Sequence, residues 1–398
     1  SIDPQSALNF IESSHSPCPR VPVSPCLPDS NLKIIPLKGW GDGGIGGFLS
    51  PFHNVNDYFH SLFPIPYSLF MNLTEDFLCP KNFQLAWEKV AKKQGSAGID
   101  GETIPKFRRR ARANLNQLRE SVANSTYQPS PYQQVLIPKG GGESREIGVP
   151  TVRDRIVGQA LLNVLQPLLD DIFSPASFAY RPHLSYINAV DKVAGWRDLG
   201  YTWVLDADIA RYFNSIDQQR LLQELRKYVD NTGILCLIKA LISVGISTPE
   251  GMVNRDRGIP QGAVISPLLA NLYLHEFDCT FSASEIRLVR YADDFVILAR
   301  TRDRIVTTLS EVQQYLTEIG LELHPKKTQI TTFNRGFRFL GHGFLENAIF
   351  PADPPKEKEE KKSPRPSRNS QKKRSQRAEI SPGKFFRLFG LGKPKIRS

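Results

Sequence analysis

The sequence of 398 residues has few cysteines, no long apolar run and no excess of charge over most of its length. Its five cysteines are scattered and contain no C-x-x-C pair, which argues against a zinc knuckle and favours a reducing, cytoplasmic setting. No apolar stretch approaches the roughly 20 residues that span a bilayer. A membrane role is therefore not expected.

The formal net charge of +11 belongs to one end of the chain. Residues 355–398 hold 15 Lys/Arg and 4 Asp/Glu, whereas residues 1–354 hold 36 of each sign. A nucleic-acid surface in the body must therefore come from local clustering of charge. One such cluster is Arg108, Arg109, Arg110 and Arg112. These arginines are either a solvated helix face or contacts to phosphates.

The two ends of the chain lack the periodicity of folded elements. Residues 1–70 are rich in Pro, Ser and Gly and contain no methionine, whereas Met71 opens a well-patterned segment. Two interpretations follow: Met71 is the natural start and 1–70 is upstream sequence translated in error, or 1–70 is a disordered arm. Residues 346–398 are expected to form a disordered basic tail or a linker.

Carboxylates cluster at the ends of two apolar strands. Asp206 and Asp208 close the strand that begins at Trp203, and Asp293 and Asp294 lie at the tip of a predicted hairpin, Arg290–Leu298. Because like charges repel, such a cluster needs compensation, and Mg²⁺ held by carboxylates and substrate phosphates supplies it. The pattern indicates nucleotidyl transfer, although an Asp-Asp pair is also common in ordinary turns.

A second hairpin carries cations beside a glycine-rich tip. A strand over 132–138 is followed by Lys139-Gly140-Gly141-Gly142-Glu143-Ser144-Arg145 and a second strand that ends at Val149. Mobile glycines between Lys139 and Arg145 suit a triphosphate, because backbone and cations can close over it. The alternative is an ordinary flexible hairpin.

Six motifs occur in a fixed order. They are the Lys139–Arg145 hairpin, the strand of Asp208, Gly258–Gly262, the Asp293–Asp294 hairpin, Lys327 and Phe339–Gly341. In this order, over about 82–344, the chain resembles bacterial reverse transcriptases of the lineage that includes group II intron enzymes. The phrases 149–157 and 262–271 are also typical of that family.

The resemblance implies an α+β, right-hand polymerase fold with fingers, palm and an antiparallel palm sheet. Residues 71–200 are then the fingers and the start of the palm, and 201–345 are the palm with the catalytic site. A thumb is expected to be absent or reduced, because a basic tail follows where relatives continue into a helical thumb.

The resemblance also assigns metal and catalytic roles. Asp208 and Asp293 bind two Mg²⁺ ions, for which Mn²⁺ is an expected substitute, and Ile209 contributes a backbone carbonyl. Asp294 supports the same site, whereas Asp206 is interpreted as structural. Lys327 matches a lysine that protonates pyrophosphate, and an ordinary surface lysine is the alternative.

Further residues match nucleotide and primer contacts. Lys139 and Arg145 correspond to the residues that grip the triphosphate. Phe213 corresponds to the ring that blocks a ribose 2′-hydroxyl, and a buried core Phe is compatible with that role. Gln261 and Gly262 resemble the segment that packs against the incoming nucleotide and template. The expected primer-gripping turn is Phe339, Leu340 and Gly341.

The function that these matches imply is RNA-directed DNA polymerisation from dNTPs, on an RNA template with a DNA or RNA primer. The palm phrases look closest to CRISPR-associated reverse transcriptases, which implies spacer acquisition from RNA with the CRISPR integrase as partner. Two alternatives stay open. One is a group II intron-encoded protein that has lost its thumb and maturase region, and the other is a non-catalytic RNA-binding scaffold.

Overall fold

The structure, a computed structural model, describes residues 72–140, 143–282 and 285–351. The helices are α1 (Leu73–Leu78), α2 (Pro80–Lys93), α3 (Ile104–Arg108), α4 (Ala111–Ala123), α5 (Val152–Asp170), α6 (Tyr186–Asp198), α7 (Tyr212–Ser215), α8 (Gln218–Arg226), α9 (Thr232–Ser243), α10 (Ser266–Tyr273), α11 (His275–Thr280) and α12 (Arg302–Glu318). The strands are β1 (Tyr132–Gly140), β2 (Glu143–Val149), β3 (Trp203–Asp208), β4 (Ile246–Thr248), β5 (Gly251–Val253), β6 (Ile286–Tyr291), β7 (Asp294–Ala299), β8 (Gln329–Thr332), β9 (Phe337–Phe339), β10 (His342–Leu345) and β11 (Ala348–Pro351).

Some predictions concern residues beyond these ranges. The segment 1–70, most of the tail and the expected lack of a thumb fall outside the described residues. Strand β11 lies inside the segment 346–398 that was assigned to the tail and pairs with β10 from His342 to Leu345. The regular structure therefore continues to Pro351.

Helix α2 forms because apolar residues recur at helical spacing. Phe83, Trp87 and Val90 are all buried on its inner face. The helix begins at Pro80, so Asn82 lies inside its first turn. The buried Asn82 amide donates to the carbonyls of Phe77 (3.0 Å) and Ala160 (3.1 Å), which ties α2 to helix α5.

The arginine-rich segment is divided between two helices. Helix α3 ends at Arg108 and helix α4 begins at Ala111. Apolar side chains on both helices enter the core, including Phe107 and Leu115. The arginines between them remain exposed.

The palm sheet has the strand order β6-β7-β3-β8, and all of its pairs are antiparallel. One face, with Leu205 and Phe295, joins the large core that includes helix α12. The opposite face, with Val204 and Val296, packs in a smaller core with phenylalanines of the β11-β10-β9 sheet. Both faces are covered, so polar side chains reach solvent only at the ends of these strands.

The fingers sheet has the order β2-β1-β4-β5. Strands β1 and β2 form the predicted hairpin, and β1 runs parallel to β4 through the pair Tyr132–Ile246. The mixture of helices and sheets confirms the predicted α+β class, and the palm sheet is antiparallel as expected. Across the described ranges, no helix is both long and apolar enough to cross a membrane.

Candidate active site

The register of the palm sheet brings the predicted carboxylates together. Asp208, the last residue of β3, lies directly opposite Asp294, the first residue of β7. Paired residues project from the same face of a sheet, as does a residue two positions away, so Asp206 shares this face. The two-residue turn Ala292-Asp293 then places Asp293 beside the end of β3, where the Ile209 amide donates to the Asp293 carbonyl at 3.0 Å.

Burial and mutual repulsion raise the pKa of several of these carboxyl groups. Burial is the largest cause for Asp294, whose pKa rises to about 7, and the charges of Asp206, Asp208 and Asp293 add to it. Burial also raises the pKa of Asp206 to about 6, against a hydrogen bond from Gln329. The pKa of Asp293 is raised by burial and by Asp208. The site therefore favours the binding of a cation.

Lys327 is the cation that reaches this cluster from the protein itself. Its ammonium group lies 2.7 Å from Oδ2 of Asp208. The segment before it wraps the end of β3, because the His324 amide donates to the Asp208 carbonyl at 2.7 Å and the Lys327 amide donates to the His324 carbonyl at 3.1 Å. The predicted lysine and the predicted carboxylate are thus in direct contact.

The side chains and backbone at the end of β3 offer oxygen atoms, the donors that magnesium prefers. No group of three or more His, Cys, Asp or Glu side chains is arranged to hold a metal ion within the described part of the chain. Magnesium prefers oxygen donors and is commonly held by one or two carboxylates, with substrate phosphates completing its shell. Asp208, Asp293 and the backbone of Ile209 offer such oxygens.

A cleft of about 170 Å³ separates the fingers hairpin from the palm. Its wall includes Arg145 and Gly148 of β2, Phe213 of α7, and Gln261. The Gly148 amide donates to the Gln261 carbonyl at 2.8 Å, and Nε of Arg145 donates to the Gln261 side chain at 3.0 Å. These bonds join two predicted nucleotide-binding motifs across the cleft. Lys139 belongs to β1, and its side chain lies outside the described set.

Two glycines allow the palm loop, residues 258–262, to approach neighbouring segments closely. Gly262 has φ +117°, and a Cβ there would lie 2.2 Å from the Gly148 carbonyl oxygen. Gly258 has φ +79°, and its Cβ would lie 2.7 Å from the carbonyl oxygen of Asn214. Glycine tolerates both the positive φ and the close approach. The motif thereby packs against β2 on one side and against the residue after Phe213 on the other.

Phe213 lies where the palm meets the cleft. Its side chain is buried and its ring packs edge-on against Tyr212 at 5.6 Å. The Tyr212 hydroxyl donates to the Ala270 carbonyl at 2.5 Å, and the Ile259 amide donates to the Phe213 carbonyl at 2.8 Å. The ring is therefore both a core residue and a lining residue of the cleft.

Tyr180 connects the cleft to the carboxylates. It lines the cleft with φ +62°. Burial and then the charge of Asp293 raise the pKa of Tyr180 to about 12, although the charge of Arg145 acts in the opposite direction. Asp293 and Arg145 thus both lie within electrostatic range of one hydroxyl. Sequence reasoning missed Tyr180, because no local pattern marks it.

The expected primer-gripping turn lies beside the Asp293 hairpin. Leu340 and Gly341 have φ +50° and +73° and join strands β9 and β10. Leu340 packs in the smaller core that also includes Tyr291, while Phe339 is fully buried there. The turn is therefore held by the smaller core, against which Tyr291 of the Asp293 hairpin also packs.

Comparison with known proteins agrees with this geometry. The profile of the family described as "Reverse transcriptase (RNA-dependent DNA polymerase)" matches residues 137–344. This span covers more than half of the chain. It contains every site residue predicted above.

Curated relatives include Protein YkfC of Escherichia coli K12, which is 29% identical over 287 residues, or 62% of this chain and 75% of the relative. The group II intron-encoded protein LtrA of Lactococcus lactis subsp. cremoris is 23% identical over 343 residues, or 69% of this chain and 56% of LtrA. A 91 kDa protein in the cob intron of Schizosaccharomyces pombe is 28% identical over 210 residues, which is 26% of its length. The chain thus spans from about a quarter to three quarters of these relatives.

Among solved structures, a partial Cas6-RT-Cas1–Cas2 complex is similar at 26% identity and TM-score 0.40, covering 62% of this chain and 43% of that chain. Apo telomerase of Candida tropicalis is similar at 16% identity and TM-score 0.46, covering 60% of both chains. The family match and the group II intron relatives confirm the resemblance seen in the sequence. The chain belongs to the reverse transcriptase family of RNA-dependent DNA polymerases.

Proposed function

We propose that this chain is an RNA-directed DNA polymerase whose nucleotidyl-transfer centre is Asp208, Asp293 and Asp294. The supporting observation is that Asp208 and Asp294 pair at the end of β3, while Asp293 interacts electrostatically with Arg145 and Tyr180, which line the cleft. Carboxylates beside an arginine-lined cleft suit a triphosphate that arrives with its own cations. Every residue of this set falls within the span matched by the family.

In this proposal Asp208 and Asp293, with the Ile209 carbonyl, hold two Mg²⁺ ions, for which Mn²⁺ is a substitute. Held by these residues, the ions would supply activation of the attacking oxygen and stabilisation of the leaving one. Asp294 adds negative charge to the same site. Lys327 transfers a proton to the departing pyrophosphate, and Asp208 holds its ammonium group in place until then.

Arg145, with Lys139 at the other side of the hairpin, binds the triphosphate. Phe213 excludes a ribose 2′-hydroxyl and so selects deoxynucleotides. Gln261 and Gly262 pack against the nascent base pair, and the 339–341 turn supports the primer terminus.

Primer extension tests this proposal. The purified chain is given an RNA template, a DNA primer, dNTPs and Mg²⁺, beside the Asp293→Asn variant and the surface control Asp230→Asn. Extension by the wild type and the control, but not by Asp293→Asn, supports the polymerase. A folded wild type that binds RNA without extending any primer contradicts it and favours the RNA-binding scaffold.

The biological role has two candidates. Phrases in the palm favour spacer acquisition from RNA beside the CRISPR integrase, whereas similarity to LtrA over 343 residues favours an intron-encoded protein. We propose spacer acquisition, because the palm phrases look closest to those of CRISPR-associated reverse transcriptases. Addition of the CRISPR integrase should then produce cDNA joined to a CRISPR repeat. Splicing of a flanking group II intron RNA by the chain would instead support the second role.

A further inference from the structure

Arg290 is the fifth residue of the six-residue strand β6, and its side chain is completely buried. Its Nε donates to Oδ1 of Asp278 at 2.6 Å, and Nη2 donates to Oδ2 at 2.5 Å. Asp278, on helix α11, is itself only 1% exposed. The two side chains form a bidentate ion pair, the geometry in which arginine binds a carboxylate most firmly.

The remaining donors of the guanidinium group reach other elements. Nη1 donates to the Ala292 carbonyl at 2.9 Å and to Asn271 Oδ1 at 3.2 Å. Nη2 donates to the Ser177 hydroxyl at 2.9 Å. All five N–H groups are thereby used. The contact with Ala292 matters most, since this residue precedes Asp293 and has φ +63°, a conformation that is costly for a residue with a Cβ.

The same residue fixes the segment that leads to Tyr180. The Arg290 amide donates to the Ala176 carbonyl at 2.8 Å, and the Phe178 amide donates to the Arg290 carbonyl at 3.0 Å. Asn271, which accepts from Arg290, also donates to the Ala179 carbonyl at 2.7 Å. One side chain and its partners therefore hold the turn that carries Asp293 and the wall of the cleft formed by Tyr180.

Stability alone does not account for this arrangement. The desolvation of two buried charges offsets much of their attraction, and apolar pairs of similar size are often as stable or more so. An apolar pair would fill the space but could not bond the Ala292 carbonyl, the Ser177 hydroxyl and Asn271 together.

We propose that Arg290, oriented by Asp278, is a positioning residue that sets the Asp293 turn and Tyr180 relative to each other. The inference rests on the proposed polymerase function for its kinetic consequence, but its structural consequence can be measured without activity. The double variant Arg290→Met/Asp278→Leu replaces the ion pair by apolar side chains. The matched control is Arg153→Met/Glu102→Leu, which removes an ion pair of 3.1 Å on the fingers.

Hydrogen exchange and kinetics are measured on the full chain. The variant should unfold at a temperature close to that of the wild type, while amide exchange rises at least tenfold in peptides 176–182 and 288–296. The kcat of primer extension should fall roughly 10- to 100-fold, as expected for a misplaced catalytic group, and the Mg²⁺ concentration for half-maximal rate should rise. The control variant should change neither the amide exchange of these two peptides nor kcat.

A second variant covers the case in which the double variant fails to fold. Asn271→Ala leaves the ion pair intact but removes the bridge to Ala179, so exchange should rise in peptide 176–182 and kcat should fall. Folded variants with unchanged exchange and kcat would show that the pair only fills the core. Faster exchange in the variants would support the positioning role of Arg290 even if the wild type extended no primer. The absence of extension by the wild type would contradict only the proposed polymerase function.

Discussion

Lys327 Nζ lies 2.7 Å from Asp208 Oδ2, at the end of the strand that carries the site. The two residues are 119 positions apart in the chain. The lysine side chain is 47% exposed and the aspartate side chain 18% exposed. A pair this open contributes little to stability. Its position beside a carboxylate cluster suggests a catalytic use instead.

Lys327→Ala should lower the kcat of primer extension, because the departing pyrophosphate loses its proton donor. General-acid groups contribute roughly 10²–10⁴-fold, so we expect a loss in that range with a small change in the KM for dNTP. The control is Lys326→Ala, which removes the adjacent exposed lysine. Single-turnover extension measures the chemical step.

A series of leaving groups tests whether Lys327 is a proton donor or a counter-ion. A dNTP with a CF₂ bridge between its β and γ phosphorus atoms has a more acidic leaving group than its CH₂ counterpart. The defect of Lys327→Ala should therefore be smaller with the CF₂ compound. Equal defects, or an active variant that needs less Mg²⁺, would identify Lys327 as a counter-ion that metal displaces.

The raised pKa of Asp294 makes the stability of the metal-free protein depend on pH. Burial and three neighbouring carboxylates raise the pKa of Asp294 to about 7, above the ordinary 3.8. The folded state then holds its proton more tightly than the unfolded state does. This contribution to stability is full below about pH 4 and is lost as the pH rises through 7.

Asp294→Asn removes that dependence. In EDTA, the free energy of unfolding of the variant relative to the wild type should increase from pH 5 to pH 8, by an amount on the order of a few kcal/mol. Urea unfolding at both pH values measures it, with Asp230→Asn as the control. Addition of Mg²⁺ at pH 8 should stabilise the wild type more than the variant. A difference that does not change with pH would contradict the assignment.

The local features of the site were predictable from sequence. Two-residue alternation along 203–208 predicted β3, and apolar flanks around Asp293 and Asp294 predicted the β6–β7 hairpin. Helix α10 begins at Ser266 with Pro267 in its first turn, the position that proline favours at the start of a helix. These predictions succeeded because each depends on neighbours in the chain.

Features that depend on distant residues were not predictable. Arg290 contacts Ser177, which is 113 positions away, and only a charged residue inside a strand hinted at a buried partner. Asparagine is a residue type that often caps helices, yet Asn82 lies inside α2, where its amide donates to the Ala160 carbonyl. Tertiary contacts decided both cases, and no periodic pattern encodes them.

Phe213→Val should relax the choice of sugar. If the ring excludes a 2′-hydroxyl, a smaller side chain leaves room for a ribonucleotide. The ratio of kcat/KM for dNTP over rNTP should then fall roughly 10- to 100-fold, since one contact of this size discriminates by that much. Phe107→Val, in the core of the fingers, controls for loss of packing. An unchanged ratio in a folded Phe213→Val enzyme would leave Phe213 as a core residue only.

Gly262→Ala tests the packing of the palm loop on the fingers. Its Cβ would lie 2.2 Å from the Gly148 oxygen, at φ +117°, so the loop must shift and the bond from Gly148 to Gln261 must open. We expect a loss of roughly 1–3 kcal/mol of stability and a higher KM for dNTP. Gly195→Ala is the control, because among the described residues its Cβ would meet no atom within 4 Å apart from its chain neighbours and its own helix backbone. Thermal unfolding measures the stability, and steady-state primer extension measures the KM for dNTP. A Gly262→Ala enzyme as stable and active as this control would show that the loop need not pack this closely.

The arginine cluster where α3 and α4 meet is either a solvated surface or an RNA contact. Arg108, Arg109, Arg110 and Arg112 are exposed, and within the described ranges none forms an ion pair. The nearby Glu102 is engaged by Arg153. Unpaired cations at this density repel one another, and phosphates would relieve the repulsion.

Replacement of all four arginines by glutamine should weaken RNA binding and flatten its salt dependence. Each lost contact to a single strand lowers the slope of log K against log salt by about 0.7, so four contacts correspond to about 3. The control replaces four exposed cations on other surfaces, Lys81, Arg226, Lys239 and Arg302. Because both variants keep the basic tail and the same net charge, only a local contact can separate their slopes in fluorescence anisotropy. Equal slopes would mean that the cluster is an ordinary solvated face.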